Sequence, residues 1–262
     1  MGLDVSQVRA WFVEENAGTY TLVKFDEEAA ALLAEDLLVP LRRSYAADQF
    51  LIHHAGQHET TLEIILASLL PPPGATMAGD FGEILVYCYQ GSLMAPLDLV
   101  GYKKWRLKQD RTKPAPYSDV IHVSLPAWPA ASPEDTLLCS EVKVKSTAGS
   151  FQPIPIAIHD SEKDRTSRLA KTLIWLRERA LTQPLGTVDV ERLNRFIDGI
   201  DLGPVIKEFR AVAIVDAEFL VAELATVPVD PIPHCSLVVI SIPGLKNLYS
   251  HTFATCAEKV EL

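Results

Sequence analysis

The stretch that most restricts how this chain can fold is Leu137–Lys145, Leu-Leu-Cys-Ser-Glu-Val-Lys-Val-Lys, where an apolar run gives way to alternating charged and branched residues. Period-two alternation with two valines predicts a β-strand. Side chains two apart on a strand share a face, about 7 Å from one another, so Glu141 and Lys143 point the same way. Two readings are open from this stretch alone. One is an exposed strand face carrying an ion pair. The other is a metal-binding carboxylate beside a cation that serves a water molecule, the pairing that phosphodiester hydrolysis requires. Lys145 lies on the same face and competes for the second role, but the two-residue spacing from Glu141 favours Lys143.

The rest of the chain bounds the choice. With 262 residues, 48% of them hydrophobic and 22% charged, it can bury a substantial core as one large domain or two small ones. No apolar run reaches the roughly 18–20 residues that a membrane span needs, and Met-Gly-Leu-Asp-Val-Ser lacks the pattern of a signal peptide, so a cytoplasmic location is expected. Cys88, Cys139, Cys235 and Cys256 are far apart with no Cys-x-x-Cys pair, which argues against a zinc ribbon or a disulfide framework. The net charge of −10 argues against non-specific coating of nucleic acid. Its distribution is uneven: residues 1–70 carry 4 basic and 11 acidic side chains, residues 101–113 carry 6 and 1, and residues 141–180 carry 8 and 5. Positive charge gathers around the predicted strand.

Taken in order, residues 19–24 read as a strand. Asp26 then caps a helix over Glu27–Leu38, Phe50–His53 reads as a short strand, and Glu59–Leu70 as a helix. His54 and His58 would share a helix face, but Gly56 interrupts them and no third ligand is evident, so they read as surface or packing residues. Pro71-Pro72-Pro73-Gly74 cannot continue a helix, and it divides an acidic N-terminal α/β region, 1–72, from a larger unit, 73–262. Thr76 caps a helix running to about Gln90 that carries Glu83, with glycines around it that allow close approach. Leu97–Trp105 reads as a strand running into a basic stretch with an aromatic inside it, Lys103-Lys104-Trp105-Arg106-Leu107-Lys108, which is open to two readings: a phosphate-contacting segment or an exposed loop. Asp119 opens the apolar strand that follows, and the proline-bearing segment Pro126–Asp135 joins it to the Glu141 strand, so Asp119 and Glu141 can occupy neighbouring strand positions. A loop through Pro153 and Pro155 precedes an amphipathic helix, Ser161–Ala180, on which Arg168 and Lys171 are candidate phosphate ligands, as is Lys145 on the strand before it. Phe209–Val215 and Leu237–Ile242 add strands, with helices before the first and after the second.

The order is thus a helix with Glu83, a strand opened by Asp119, a strand with Glu141-Val142-Lys143, and an amphipathic helix. It resembles the restriction-endonuclease-like nuclease core, a mixed central sheet flanked by helices. The expected fold is therefore α/β, with that core preceded by the acidic N-terminal region. Gly82-Glu83-Ile84-Leu85, Ser118-Asp119, Glu141-Val142-Lys143 and Ser167-Arg168-Leu169-Ala170-Lys171-Thr172-Leu173 are similar to HamA, the nuclease subunit of Hachiman anti-phage defence systems. Ser118 departs from the broader superfamily, which often has proline before this aspartate.

The resemblance implies a DNA nuclease in which Glu83, Asp119 and Glu141 bind Mg²⁺, with Mn²⁺ as a substitute, and Lys143 positions the attacking water and helps deprotonate it. That last role is easier if burial and the neighbouring cation lower the lysine's pKa. Lys103, Lys104, Arg106, Lys145, Arg168 and Lys171 are the candidates for contacting DNA. The resemblance also implies a helicase partner, HamB. Two other expectations stay open: an inactive nuclease-fold adaptor for a partner ATPase, and a stand-alone restriction-type endonuclease.

Overall fold

The computed structural model describes residues 10–93, 99–182, 188–198 and 203–260. β1 (Glu14–Asn16) and β2 (Thr21–Lys24) form a hairpin. Asp26 then starts α1 (Glu27–Asp36) by accepting the N–H of Ala29 at 2.8 Å. α2 (Leu38–Tyr45), α3 (Asp48–His58) and α4 (Leu62–Leu69) follow. The strand expected at Phe50–His53 is instead part of α3. Only Leu51 of that stretch is fully buried, and Ile52 and His53 are exposed, so the apolar residues obey a helical period and not an alternating one. His54 and His58 do share a face, their rings stacked with centroids 5.9 Å apart, and Gly56 sits within the helix without ending it.

After the triple proline comes α5 (Ala75–Leu93). β3 (Leu99–Gly101) is shorter than expected, and the first residues of the predicted strand, 97 and 98, lie outside the described residues. A 3₁₀ turn, Lys104–Leu107, takes the end of that predicted strand. β4 (Val120–Ser124) and β5 (Thr136–Lys145) pair antiparallel. α6 (Pro153–Lys163), a π-helical turn (Asp164–Arg168) and α7 (Leu169–Thr182) run without a break. The helix therefore starts well before Ser161, because Pro153 stands at its first turn, where proline loses no intrahelical hydrogen bond. α8 (Val190–Ile197), β6 (Ile206–Asp216), α9 (Leu220–Leu224), β7 (Ser236–Ile242) and α10 (Leu245–Glu258) complete the chain.

The strands form one mixed seven-stranded sheet in the order β1-β2-β7-β6-β5-β4-β3. β2, β7, β6 and β5 run parallel, and β1, β4 and β3 add antiparallel partners. β2 of the N-terminal region pairs directly with β7, Leu22 opposite Val239. Helices cover both faces, as a largely parallel sheet requires. On one side Val142, Val212, Ile214 and Ile240 pack with Phe81, Ile84 and Leu85 of α5, Phe253 of α10 and residues of α1–α4. On the other, Leu137 and Cys139 pack with α7 and α8, and Ala211, Ala213 and Val239 with α6. A methyl group on Gly82 would overlap Val144 Cγ2; its absence lets α5 lie directly on β5 and brings Glu83 against the sheet. Cys88, Cys139 and Cys256 are buried, Cys235 is half-buried, and all four are free.

Candidate active site

Period-two alternation assigns the side chains of β5 to the two layers. Val142 and Val144 join the core under α5, whereas Glu141 and Lys143 face α6 and the π turn. Glu141 is 1% exposed and is held by two cations: the Lys143 ammonium on Oε1, and Arg168 Nη2 at 3.0 Å from Oε2. Lys143 also lies 3.1 Å from Asp160 Oδ2. Arg168 also pairs with Asp164 Oδ1 at 3.0 Å and donates to the carbonyl of Asp160.

Asp119, half-buried just ahead of β4, accepts the backbone N–H of Val142 at 2.8 Å through Oδ2. It therefore lies beside Glu141, as the neighbouring-strand expectation required. Glu83 reaches the region from the α5 side. It is 5% exposed and accepts the indole N–H of Trp105 at 3.0 Å. Burial, then the charge of Asp119, push its carboxyl well above the usual range, and the Lys104 ammonium opposes them. Burial, then Asp119, likewise push Glu141 up to about 9.

Asp119 is thus the link between two carboxylates that lie in different layers. Glu83, Asp119 and Glu141 do not gather into one coordination sphere here. Among the described residues, no group of three His, Cys, Asp or Glu side chains is placed to hold a metal ion. The chemistry of the donors nevertheless suits a hard cation, because all are carboxylate oxygens. The charge suits it too: Asp119, Glu141, Asp160 and Asp164 outnumber Lys143, Lys163 and Arg168, and Asp119 adds to burial in raising Glu141 and Asp164.

Lys143 differs from expectation. Burial pulls its pKa down, but Glu141 and Asp119 outweigh burial, and the net shift is upward. It is a firmly charged ammonium in this arrangement, suited to donating hydrogen bonds.

The proposed DNA contacts divide sharply. Lys104 is fully buried and donates to the carbonyl of Ser118, so its reading as a surface phosphate contact is corrected. Lys103 and Arg106 turn inward to the carbonyl of Arg43, at 3.3 Å from Lys103 Nζ and 3.1 Å from Arg106 Nε, and clamp α2 to the 3₁₀ turn. Unsatisfied carbonyls at the end of α2 draw these cations in more strongly than solvent does. Lys145 is 9% exposed, pairs with Glu223 at 2.7 Å and donates to the carbonyls of Gly149 and Phe151 at 3.1 and 2.8 Å, so it is an internal anchor and not a surface cation. Arg168 is half-buried on Glu141, and Lys171 is exposed.

Sequence reasoning missed Asp160, Asp164 and the work done by Ser118. The Ser118 N–H donates to Thr172 Oγ1 at 3.1 Å, and its hydroxyl donates to Asp164 Oδ1 at 2.8 Å. Ser118 therefore ties the start of β4 to the π turn and α7. A signal was present: Asp160, Asp164 and Arg168 recur every four residues, which places them on one helix face. The π turn adds a residue within that face, a device common at functional sites.

No curated protein matches this sequence. A family model described as HamA does match, over residues 6–255 of the 262. That span takes in the whole described sheet and every candidate site residue, and the chain belongs to the HamA family.

Proposed function

We propose that this chain is the effector nuclease of a Hachiman-type anti-phage defence system, hydrolysing DNA phosphodiester bonds in a Mg²⁺-dependent reaction under the control of a partner helicase, HamB. The observation that carries the reading is the hydrogen bond from the Val142 N–H to Asp119 Oδ2, at 2.8 Å, which sets Asp119 beside the strand that carries Glu141 and the lysine paired with it, Lys143. Repelling, desolvated carboxylates of this kind cluster at functional sites. Asp119 and Glu141 would hold Mg²⁺ or Mn²⁺, which when bound neutralises phosphate charge and acidifies water, while Glu83 stands on the other side of Asp119, on the Trp105 indole. Lys143 orients the attacking water and steadies developing negative charge through its ammonium hydrogens. Arg168 is near enough to Glu141 to exchange that carboxylate for a substrate phosphate.

The acidic region 1–72 serves as the partner interface in this reading. Its charge repels DNA, while Val13, Leu32, Ile52 and Ile64 stand exposed on it at 72, 56, 54 and 62%. None of the described helices is long and apolar enough to cross a membrane, in keeping with action on DNA in the cytoplasm.

The test is cleavage of plasmid DNA with Mg²⁺ and the helicase present. Glu141→Ala and Lys143→Ala each reduce the rate by at least about 10²-fold, with melting still cooperative. Undiminished cutting by either variant defeats the assignment. A second reading, a partner-binding adaptor, is favoured by the closed ion pairing of Glu141 with Lys143 and Arg168. Titration with Mn²⁺ separates the two: binding that disappears in Asp119→Ala supports the nuclease, and no binding supports the adaptor.

A further inference from the structure

Beside Lys143, at the carboxyl end of β5, lies an open cleft of about 510 Å³. Its walls are the start of α5, the loop 146–151 and the first turn of α10. Ligands of open α/β sheets occupy this end of the strands. In a chain with 34 acidic residues, none of the described ones lines this cleft, whereas Lys246 does, together with Lys143, paired to Glu141 and Asp160, and the buried Lys145, paired to Glu223. Lys246 is exposed and has no ion pair with any described residue. Gly74 and Gly79 leave the opposite wall open, with nothing within 4 Å of an added Cβ at either position.

Phe151 stands on the rim, 42% exposed, and its backbone is fixed. The buried Lys145 ammonium holds the carbonyls of Gly149 and Phe151 while paired with Glu223. Gly149, at φ 151°, makes the turn that a side chain would strain. The pairing with Glu223 and the two carbonyls satisfies this buried ammonium, so the loop that carries Phe151 is held in one place.

A groove with a lysine unpaired among the described residues, no described carboxylate in its wall and a fixed aromatic on its rim suits single-stranded nucleic acid, a phosphate on the lysine and a base on the ring. We infer that this cleft takes one single strand of DNA leading toward Glu141 and Lys143, with Lys246 on a phosphate and a base stacked on Phe151. The inference rests on the nuclease reading for the direction of the strand, but not for binding itself.

The experiment measures binding of the full-length protein, in EDTA, to a fluorescein-labelled 20-nucleotide single-stranded oligodeoxynucleotide and to the same sequence as a duplex. The single strand binds more tightly. Phe151→Ala weakens it about tenfold, and Phe151→Trp restores it. Lys246→Ala reduces the slope of log affinity against log salt by about 0.7. Both side chains are exposed, so melting curves of the variants should overlay the parent's. Unchanged single-strand affinity in both variants overturns the inference, as does equal duplex binding indifferent to Phe151. If the parent cuts DNA with Mg²⁺ while both variants bind and cut as it does, this inference falls and the nuclease reading stands. If the parent never cuts but both variants lose binding, the strand path stands and the nuclease reading falls.

Discussion

The carboxylate of Asp119 accepts the backbone N–H of Val142 at 2.8 Å, the residue between Glu141 and Lys143. One hydrogen bond thereby fixes the aspartate against the strand that carries Glu141 and Lys143, and its charge adds to burial, the larger cause, in raising the pKa of Glu141 on one side and of Glu83 on the other.

Replacing Asp119 with Asn should therefore trade activity for stability. The amide oxygen can still accept the Val142 N–H, but the repulsion disappears. A carboxyl raised from 4.5 to about 9 binds more protons folded than unfolded, so the wild type loses stability as pH rises through that window. Asp119→Asn should flatten that loss, gaining about 1 kcal/mol at pH 8 while DNA cleavage and Mn²⁺ binding vanish. Urea denaturation at pH 5 and pH 8 checks the sign; a variant less stable at pH 8 contradicts it.

Ser118→Pro should destabilise this chain by about 1–3 kcal/mol. It removes the N–H that Thr172 Oγ1 accepts and the hydroxyl that Asp164 accepts. Thr172→Ala removes part of the same network, so the double variant should cost less than the sum of the two. Denaturant melts of the cycle decide; strict additivity would mean that the two side chains act independently.

Lys145→Met leaves Glu223, 3% exposed, without its cation. Breaking one side of such a pair costs about 3–5 kcal/mol, and the 149–151 carbonyls lose their donor. Lower urea stability together with faster amide exchange in residues 146–152 is the expected result; exchange unchanged from the parent would show that the loop is held by other means.

His122 sits on β4, fully buried against Tyr87, and neither ring nitrogen has a hydrogen-bond partner among the described residues. Burial, helped by Arg210, pulls its pKa down to about 3 from 6.5. The unfolded chain takes up the proton first, so this contribution is complete above pH 6.5 and is lost as pH falls towards 3, about 3–5 kcal/mol in all. His122→Leu should be as stable as the parent at pH 7 and more stable at pH 4, as read by thermal melts; equal acid sensitivity would show that other groups govern it.

Local pattern alone determined much of this architecture. Alternation in Leu137–Lys145 and apolar runs at 209–215 and 237–242 specify strands, because period two leaves one face for each layer. Asp26 and the proline punctuation set helix ends through backbone hydrogen bonding, which is a local matter. Asp119 and Glu141 were legible as neighbours, since a short connection between two strands usually makes them adjacent.

What tertiary structure alone decided was direction and partnership. Lys103, Lys104, Arg106 and Lys145 look like surface cations in one dimension, yet each turns inward to carbonyls or a carboxylate contributed by residues elsewhere in the fold. Glu83 and Glu141 come from opposite layers of the sheet, and the charge balance that makes Lys143 a fixed ammonium depends on Asp119 beside it. Periodicity reports which face a side chain occupies, whereas ion pairing and desolvation depend on what the rest of the fold brings to that face.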